Sequence, residues 1–173
     1  MAAPNISIGT LLADFGHWDD LLSMIRASFA YMDGVIDPPS SVHRLTPAVL
    51  RAKAQAETCF LATADRPPAR GEILAIAQSM VGCAFLAEKE DHFYLGKLAV
   101  LPAYQGKGVG RQLLMAAQNH AIHAGKPVIE LQTRVELTGN HRKFASFGFV
   151  ETDRTAHPGF DRPTTLTMRK ALA

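Results

Sequence analysis

The chain has 173 residues, of which 47% are hydrophobic and 20% are charged, a composition typical of a folded globular protein. This length predicts a single domain over residues 1–173. The formal net charge of +2 is too small to indicate a nucleic-acid partner, and no apolar run is long enough to span a membrane. Composition therefore excludes nucleic-acid binding and membrane insertion as first hypotheses.

The N-terminus and the cysteines both point to the cytoplasm. Residues 1–5 lack the basic and apolar regions of a signal peptide. Cys59 and Cys83 lie in apolar, strand-like segments and are interpreted as buried free thiols in a reducing compartment, with a disulfide between adjacent strands as the alternative. We therefore expect a cytoplasmic protein.

The first half of the chain predicts two helices and an antiparallel meander. Residues 17–30 have helical spacing, and Thr46 is a good N-cap before Pro47 for a second helix that runs to about Glu57. Strands are expected over residues 5–11, 58–63, 79–86 and 92–101. Residues 65–71 form a predicted turn, and residues 72–78 fit either a short strand or a helical turn.

The second half alternates helices with strands. A helix is predicted from Arg111 to Ala124, with a buried face of Val109, Leu113, Leu114, Ala117, Ala121 and Ile122. A short helix capped by residues 138–140 should run to Ser146. Strands are expected over 128–133, from Phe147 onward and over 164–169, with a loop at 157–163.

A glycine-rich turn joins the apolar strand at 92–101 to the helix that follows. It reads Gln105-Gly106-Lys107-Gly108-Val109-Gly110, and Lys107 and Arg111 add positive charge. A strand, a glycine loop and a helix N-terminus in this order present bare backbone N–H groups to an anion. No lysine is followed by Ser or Thr as in a Walker loop, and the third glycine comes one residue too early for a dinucleotide fingerprint. The pattern predicts a site for a phosphorylated ligand of another kind.

The spacing of Gln105, Gly108 and Gly110 is Q-x-x-G-x-G, and it follows the run Leu98-Ala99-Val100-Leu101-Pro102. This segment resembles the acetyl-CoA-binding motif of the GNAT N-acetyltransferase superfamily, and the element order resembles its fold over about residues 5–170. The resemblance implies an α/β (α+β) fold with a central, mixed, mostly antiparallel sheet flanked by helices. Its fourth and fifth strands would splay apart to admit the pantetheine arm.

The resemblance also implies the coenzyme site. Backbone N–H groups of the glycine loop and the nearby Arg111 would hold the pyrophosphate of acetyl-CoA, without a metal. Strand residues would pair with the pantetheine arm, and the N–H of Val100 would polarise the thioester carbonyl. Residues assigned to coenzyme binding are Leu98, Ala99, Val100, Gln105, Gly106, Lys107, Gly108, Val109, Gly110, Arg111, Asn140 and Phe144.

Two catalytic positions depart from the family pattern. Phe144 stands where the family commonly has a tyrosine that protonates the leaving thiolate, and phenylalanine has no proton to donate. Tyr31, Tyr94 and His157 are candidate replacements. Tyr94 also stands where several members have a glutamate base, and a phenol of pKa about 10 is a poor base. The catalytic candidates are therefore Tyr94, Val100 and Phe144, and the general base is unassigned.

The acceptor side is predicted to involve the loops at 31–41 and 157–163. Apolar residues of the first loop form either the wall of a substrate pocket or a plug of the core, and Tyr31 and Met32 are the candidates for substrate contact. His157 belongs to the second loop, as does Arg162, which together with Arg44 could bind an acidic group of the acceptor. The mixture of aromatic residues and both signs of charge fits an amino-acid-like molecule better than a polycation.

Three functional alternatives follow. The first is transfer of an acetyl group from acetyl-CoA to a primary amine of a small molecule or peptide, by direct attack in a ternary complex. The second is an acyl-CoA-binding or sensing module without catalysis, which Phe144 and the missing glutamate favour slightly. A nucleotide-binding domain is disfavoured by the glycine spacing. His120 and His123 are interpreted as a surface pair and not as metal ligands. Many members of the family are dimers, so both a monomer and a homodimer stay open.

Overall fold

The computed structural model describes residues 4–65 and 79–172. Seven strands form one sheet, in the order β1-β2-β3-β4-β5-β7-β6. The strands are β1 Ile6–Thr10, β2 Thr58–Ala64, β3 Met80–Glu88, β4 Phe93–Val100, β5 Val128–Arg134, β6 Val150–Thr155 and β7 Thr165–Ala171. The helices are α1 Trp18–Phe29, α2 Pro47–Ala56, α3 Val109–His123 and α4 Thr138–Ser146. Short 3-10 turns occupy Ala30–Met32, Ser41–Arg44 and Pro102–Tyr104.

Strands β1 to β4 form the predicted antiparallel meander. β4 and β5 are parallel, and β5, β7 and β6 continue as antiparallel neighbours. The sheet is therefore mixed but mostly antiparallel, as expected. The predicted turn and the ambiguous segment within 66–78 lie outside the described residues.

Helices cover both faces of the sheet because alternate strand residues point in opposite directions. Leu21, Ile25 and Leu50 of α1 and α2 pack on one face, against a cluster that includes Cys59, Leu61, Cys83 and Phe85. Leu113 and Leu114 of α3 pack on the other face, in a cluster that includes Phe60, Ala84, Leu86 and Ile129. The result is a three-layer arrangement in which β3 is buried on both sides over most of its length.

Local helix signals are confirmed in part. The Thr46 hydroxyl accepts a 3.2 Å hydrogen bond from the N–H of Val49, with Pro47 in the first turn of α2. The capping prediction at 138–140 was wrong, because α4 begins at Thr138 with Leu137 at its N-cap and without a side-chain cap bond. The strand expected from Phe147 begins only at Val150, since Phe147 and Gly148 still bond to α4 carbonyls and Gly148 has a φ of 93°.

Two predictions about α3 also need correction. Ile122 is 45% exposed and does not belong to the buried face. His120 is half-buried and packs edge-on against Phe60 and Phe93, at centroid distances of 5.9 and 5.5 Å, so it is not a surface histidine. Its role is contact with the core.

Both cysteines are buried free thiols, as preferred over a disulfide. Burial raises the pKa of the Cys59 thiol to about 12 and that of Cys83 well above its ordinary value. Such thiols stay protonated and unreactive at neutral pH.

Candidate active site

The sheet opens between β4 and β5. The two strands pair only from Phe93 opposite Ile129 to Leu95 opposite Leu131. Beyond that point β4 continues along β3 to Val100, and β5 continues along β7 to Arg134. Because each strand follows a different neighbour, a wedge-shaped gap separates residues 96–100 from residues 132–134. This gap is the splay expected from the resemblance.

A bulge in β4 shapes the edge of the gap. The pairing register with β3 shifts between Cys83 and Phe85, and Lys97 opposite this shift has a left-handed φ of 49°. Past the bulge, Leu101 donates to the carbonyl of Val81 at 2.8 Å. Hydrogen-bonded and non-bonded pairs alternate in an antiparallel ladder, so the preceding residue, Val100, which pairs with Gly82, turns its N–H away from β3. That N–H therefore faces the gap.

The glycine loop closes one end of the gap. Gly106 and Gly108 have φ values of 73° and 81°, and a Cβ built on either would meet nothing within 4 Å. Gly108 is the N-cap of α3, whose first turn has neither a side-chain cap bond nor an acidic residue. The Gln105 side chain ties the loop to β4 by donating to the Val100 carbonyl at 3.1 Å. Open backbone donors at a helix N-terminus fit a phosphate group.

Two cavities occupy the gap. The larger has a volume of about 430 Å³ and extends from the 31–44 segment across Tyr94, residues 96–98 and residues 131–134 to His157. The smaller, of about 200 Å³, extends from the glycine loop at Gln105 and Gly110 past Val100 to α4. Phe29, Tyr31, Leu98, Asn140 and Phe144 line both cavities. The cavities therefore meet at these five side chains.

The predicted site residues divide among these spaces. Those that line the larger cavity are Tyr31, Met32, Tyr94, Leu98, Asn140, Phe144 and His157. Those that line the smaller are Tyr31, Leu98, Val100, Gln105, Gly110, Asn140 and Phe144. Outside both lie Ala99, Gly106, Lys107, Gly108, Val109, Arg111 and Arg162. Val109 is 1% exposed and packs in the core, so only its backbone could contact a ligand. Lys107 lies over the Tyr104 ring at 5.3 Å.

The loop at 31–41 was expected either to form a wall of the substrate pocket or to plug the core, and it does both. Met32 and Ile36 are buried at 8% exposure and also line the larger cavity, so they fill space and form a wall together. Tyr31 is 50% exposed, and its phenol oxygen accepts a 3.1 Å hydrogen bond from the side-chain amide of Asn140. The loop is thus part of the cavity wall.

Tyr94 and Phe144 differ in what they can supply. Burial raises the pKa of Tyr94, and nearby Glu130 and Glu57 raise it further. The phenol therefore stays protonated at neutral pH, so Tyr94 can donate a hydrogen bond but cannot act as a base. Phe144 packs edge-on against Phe149 at 6.0 Å and presents only hydrocarbon where the cavities meet.

His157 has the properties of a proton acceptor. Partial burial lowers its pKa, and the positive charges of Arg134 and Arg44 lower it further, against an opposing effect of Glu136. Its backbone N–H and Nδ1 both bond the Thr164 hydroxyl, at 2.9 and 2.6 Å. The same hydroxyl lies 3.5 Å from the Thr155 carbonyl, to which it donates. Nδ1–H then donates to Thr164, which leaves Nε2 as the basic nitrogen on a ring that lines the cavity.

Arg162 does not lie where the sequence interpretation placed it. It bonds Asp37 at 3.1 Å and lies 3.8 Å from Glu136, outside the cavity lining. The cations that do line the larger cavity with Arg44 are Lys97 and Arg134, neither of which the sequence interpretation selected. Both follow directly from the splay, since they sit on the two strand edges that separate.

Comparison with known proteins identifies the family. The model of the acetyltransferase (GNAT) family matches residues 18–149, so the chain belongs to the GNAT acetyltransferases. Comparison with curated protein sequences finds no match.

Solved structures share the fold. A GNAT-family acetyltransferase from Staphylococcus aureus is similar with a TM-score of 0.71 at 15% identity, covering 98% of this chain and 100% of that one. The ribosomal-protein-S18-alanine N-acetyltransferase from Escherichia coli has a TM-score of 0.64 at 18% identity, covering 98% and 95%. A GNAT-family acetyltransferase from Elizabethkingia anophelis with acetyl-CoA bound has a TM-score of 0.62 at 17% identity, covering 97% and 99%.

The structure describes residues 4–65 and 79–172, and two kinds of feature are absent from these ranges. They contain no helix that is both long and apolar enough to cross a membrane. They also contain no group of three or more His, Cys, Asp or Glu side chains placed to hold a metal ion.

Proposed function

We propose that this GNAT acetyltransferase transfers the acetyl group of acetyl-CoA to a primary amine, by direct attack in a ternary complex. The observation that carries the proposal is the meeting of two cavities inside the gap between β4 and β5. One begins at the glycine loop and suits the coenzyme arm, and the other suits an acceptor. An acceptor amine in the larger cavity and the thioester of acetyl-CoA in the smaller one would meet where the two cavities join. Both reactants would then be bound at the same time, as direct attack requires.

The backbone supplies the coenzyme contacts. N–H groups at the start of α3 would hold the pyrophosphate, which the helix N-terminus favours. The N–H of Val100 faces the gap and would stabilise the negative charge that develops on the thioester oxygen. Neither role requires a particular side chain, which suits a loop composed largely of glycine.

His157 is proposed as the general base. An acceptor amine is mostly protonated at neutral pH and must lose a proton before it attacks. The lowered pKa of His157 keeps the imidazole neutral near pH 7, with Nε2 available. Nε2 takes one proton from the ammonium group, and the neutral amine nitrogen then bonds the acetyl carbon. The carbon–sulfur bond breaks with its electron pair going to sulfur, and the nitrogen loses its second proton to solvent as the amide forms. Tyr94, which stays protonated, would orient the acceptor.

Tyr31 is proposed as the proton donor to the departing thiolate. Among the three candidates that could replace the missing tyrosine at Phe144, Tyr31 alone lines both cavities, whereas Tyr94 and His157 line only the larger one. Its oxygen accepts from Asn140, so its own proton is free to be donated toward the junction.

The test is turnover. Purified protein with acetyl-CoA and a panel of amines should release free thiol, measured with a thiol reagent, and produce the N-acetylated amine, measured by mass spectrometry. A non-catalytic acyl-CoA-binding module, which Phe144 favours, would bind acetyl-CoA in calorimetry but release no thiol with any amine. That result would overturn the proposed reaction and leave the coenzyme site intact.

The proposal extends to location and organisation. We propose one domain over residues 1–173 acting in the cytoplasm, since Cys59 and Cys83 are both free thiols. Tagging and fractionation of the native host would test the location.

A further inference from the structure

The larger cavity is lined by positive charge. Arg44, Lys97 and Arg134 contribute to its wall, and none of the lining residues that the structure describes is Asp or Glu. Tyrosine, serine, threonine and amide groups supply the remaining polar surface. A cavity with cations on several sides and no acid repels a cationic ligand and attracts an anionic one.

The cations lack acidic partners of their own. Within the described part of the chain, Arg44, Lys97 and Arg134 form no ion pair with a carboxylate. Lys97 donates to the Ser41 hydroxyl at 2.7 Å, and the Nε of Arg134 donates to the Thr164 carbonyl at 3.1 Å. The Nη2 of Arg134 is buried and bonds nothing among the described residues. A buried guanidinium nitrogen without an acceptor is costly, and a ligand oxygen would satisfy it.

Arg162 removes the nearby acids from the cavity. It pairs with Asp37 at 3.1 Å and lies 3.8 Å from Glu136. Glu136 also accepts from the backbone N–H of Asp37 at 3.2 Å. Both carboxylates act electrostatically on Arg134, but among the described residues neither comes within ion-pair distance of it and neither lines the cavity. The guanidinium of Arg134 therefore keeps hydrogen-bonding capacity for a ligand.

We infer that the acceptor is a small amine that also carries an anionic group, a carboxylate or a phosphate, held by Arg134, Lys97 and Arg44. This inference rests on the proposed acetyl transfer and names the class of its acceptor. Guanidinium groups bind either anion with paired hydrogen bonds, and the volume of about 430 Å³ suits a small molecule. The same cations disfavour polyamines and lysine-rich segments.

The electrostatics of Lys97 agree with this assignment. Burial lowers its pKa, and the positive charges of Lys53 and Arg44 lower it further. A bound anion would offset both effects.

The test uses paired amines, one with and one without the anion. Amino acids are compared with their amides, and phosphoethanolamine with ethanolamine, with acetyl-CoA and full-length protein. We expect kcat/KM for the anionic member of at least one series to exceed that of its partner without the anion by about tenfold or more. The carboxylate and phosphate series separate the two sources of the anion.

Substitutions of the cavity arginines test whether these residues cause the preference for anionic amines. Arg134→Gln and Arg44→Gln should each lower, by about tenfold, the ratio of kcat/KM for the anionic amine to kcat/KM for its partner without the anion. The ratio is the readout because both arginines also lower the pKa of His157, an effect that the two amines share. Two variants are used because Arg134→Gln also loses the bond to Thr164, whereas Arg44 is exposed. Arg51→Gln, an exposed arginine of α2 outside both cavities, is the matched control and should change neither rate.

The outcomes separate this inference from the proposed function. Faster turnover of the amines without an anionic group would overturn the anionic acceptor and keep the transferase. If no amine is acetylated, calorimetry with the same amines and their N-acetyl derivatives decides. If the anionic amines bind and their binding weakens in Arg134→Gln, the anion site is supported even though the proposed reaction is not. If amines with and without the anion bind equally well, or none of them binds, the proposed anion site is overturned.

Discussion

Asn140 donates a hydrogen bond of 3.1 Å to the phenol oxygen of Tyr31, which joins α4 to the 3-10 turn that follows α1. Both side chains line both cavities. Phe144, one helical turn after Asn140, lines the same junction but has no polar atom. The phenol of Tyr31 is therefore the hydroxyl that we propose to act in place of the one that the family commonly has at the position of Phe144.

Replacing Tyr31 by phenylalanine should lower kcat. Loss of a general acid typically costs a factor of about 100 or more, and a thiolate is a moderate leaving group, so we expect a fall of about 10-fold to 100-fold. The KM for acetyl-CoA should change little, because the ring that lines the cavities is retained. Steady-state thiol release measures both constants.

A second substitution distinguishes proton donation from packing. The double variant Tyr31→Phe/Phe144→Tyr returns a hydroxyl to the junction from α4 and should recover part of the lost kcat. Should Tyr31→Phe alone keep the full kcat, the thiolate leaves without help from this residue.

The pH dependence of kcat/KM should identify His157 as the base. Its pKa is lowered by burial and by Arg134 and Arg44, so the neutral imidazole is the form present near pH 7. Below that pKa the base is protonated, and kcat/KM should fall with decreasing pH. The midpoint of this acid limb should lie below about 6.5, the ordinary histidine value. A pH–rate profile between pH 5 and 9 with one amine measures it.

Replacing His157 by glutamine provides the control for this profile. Without the base, only the free amine can react, so kcat/KM should rise continuously with pH toward the pKa of the amine. A variant that keeps the plateau of the parent would show that another group accepts the proton.

The predictable part of the fold is the part set by neighbours in the chain. Thr46 before Pro47, the alternation in the strands and the glycine after α3 are local signals, and they yielded element types and the antiparallel meander. The predictions were wrong where the local sequence pattern is compatible with more than one structure. Ile122 lies about 100° around the helix from the buried Ala121, so the same apolar pattern admits a face that includes it or omits it.

The candidate site was predictable only where it is continuous in sequence. Gln105 to Gly110, with the apolar strand before them and the helix after them, predict an anion site, because the backbone would make the contacts. The cations of the larger cavity depend on which strands separate, and Lys97 and Arg134 come from strands with no local signal for the splay. Arg162 was assigned to the acceptor because its partners Asp37 and Glu136 lie far away in sequence. Such pairs appear only when the chain has folded.

Gly108→Glu should abolish coenzyme binding. Gly108 has a φ of 81° at the N-cap of α3, and its surroundings are open. A carboxylate there would stand against the pyrophosphate, and such like-charge contacts cost several kcal/mol, so the Kd for acetyl-CoA should rise by more than about a hundredfold. Calorimetric titration measures the change.

Gly108→Asn separates charge from backbone strain. Asparagine tolerates the left-handed conformation better than most residues and is neutral. It should bind acetyl-CoA more tightly than Gly108→Glu does. Equal loss in both variants would assign the defect to the loop conformation.

Two glycine-to-alanine changes should differ in their effect on stability, because only one of them introduces a close contact. A Cβ at Gly82 of β3 would lie 2.8 Å from the Ala99 carbonyl and 3.2 Å from Leu113, so β4 or α3 must shift. Overpacking of this kind costs about 1–3 kcal/mol in the free energy of unfolding. Because β4 carries the Val100 N–H at the gap, such a shift should also weaken binding of acetyl-CoA.

Gly139→Ala is the matched control, since Gly139 lies in the first turn of α4 and a Cβ there meets nothing within 4 Å. Alanine loses less backbone entropy on folding, so this variant should be unchanged or more stable by up to about 1 kcal/mol. Urea unfolding followed by circular dichroism measures both free energies. If Gly82→Ala were as stable as the parent, the packing of α3 on β3 and β4 would have to be looser than the 2.8 Å approach requires. The gap edge would then tolerate movement, and its geometry could not by itself position the Val100 donor.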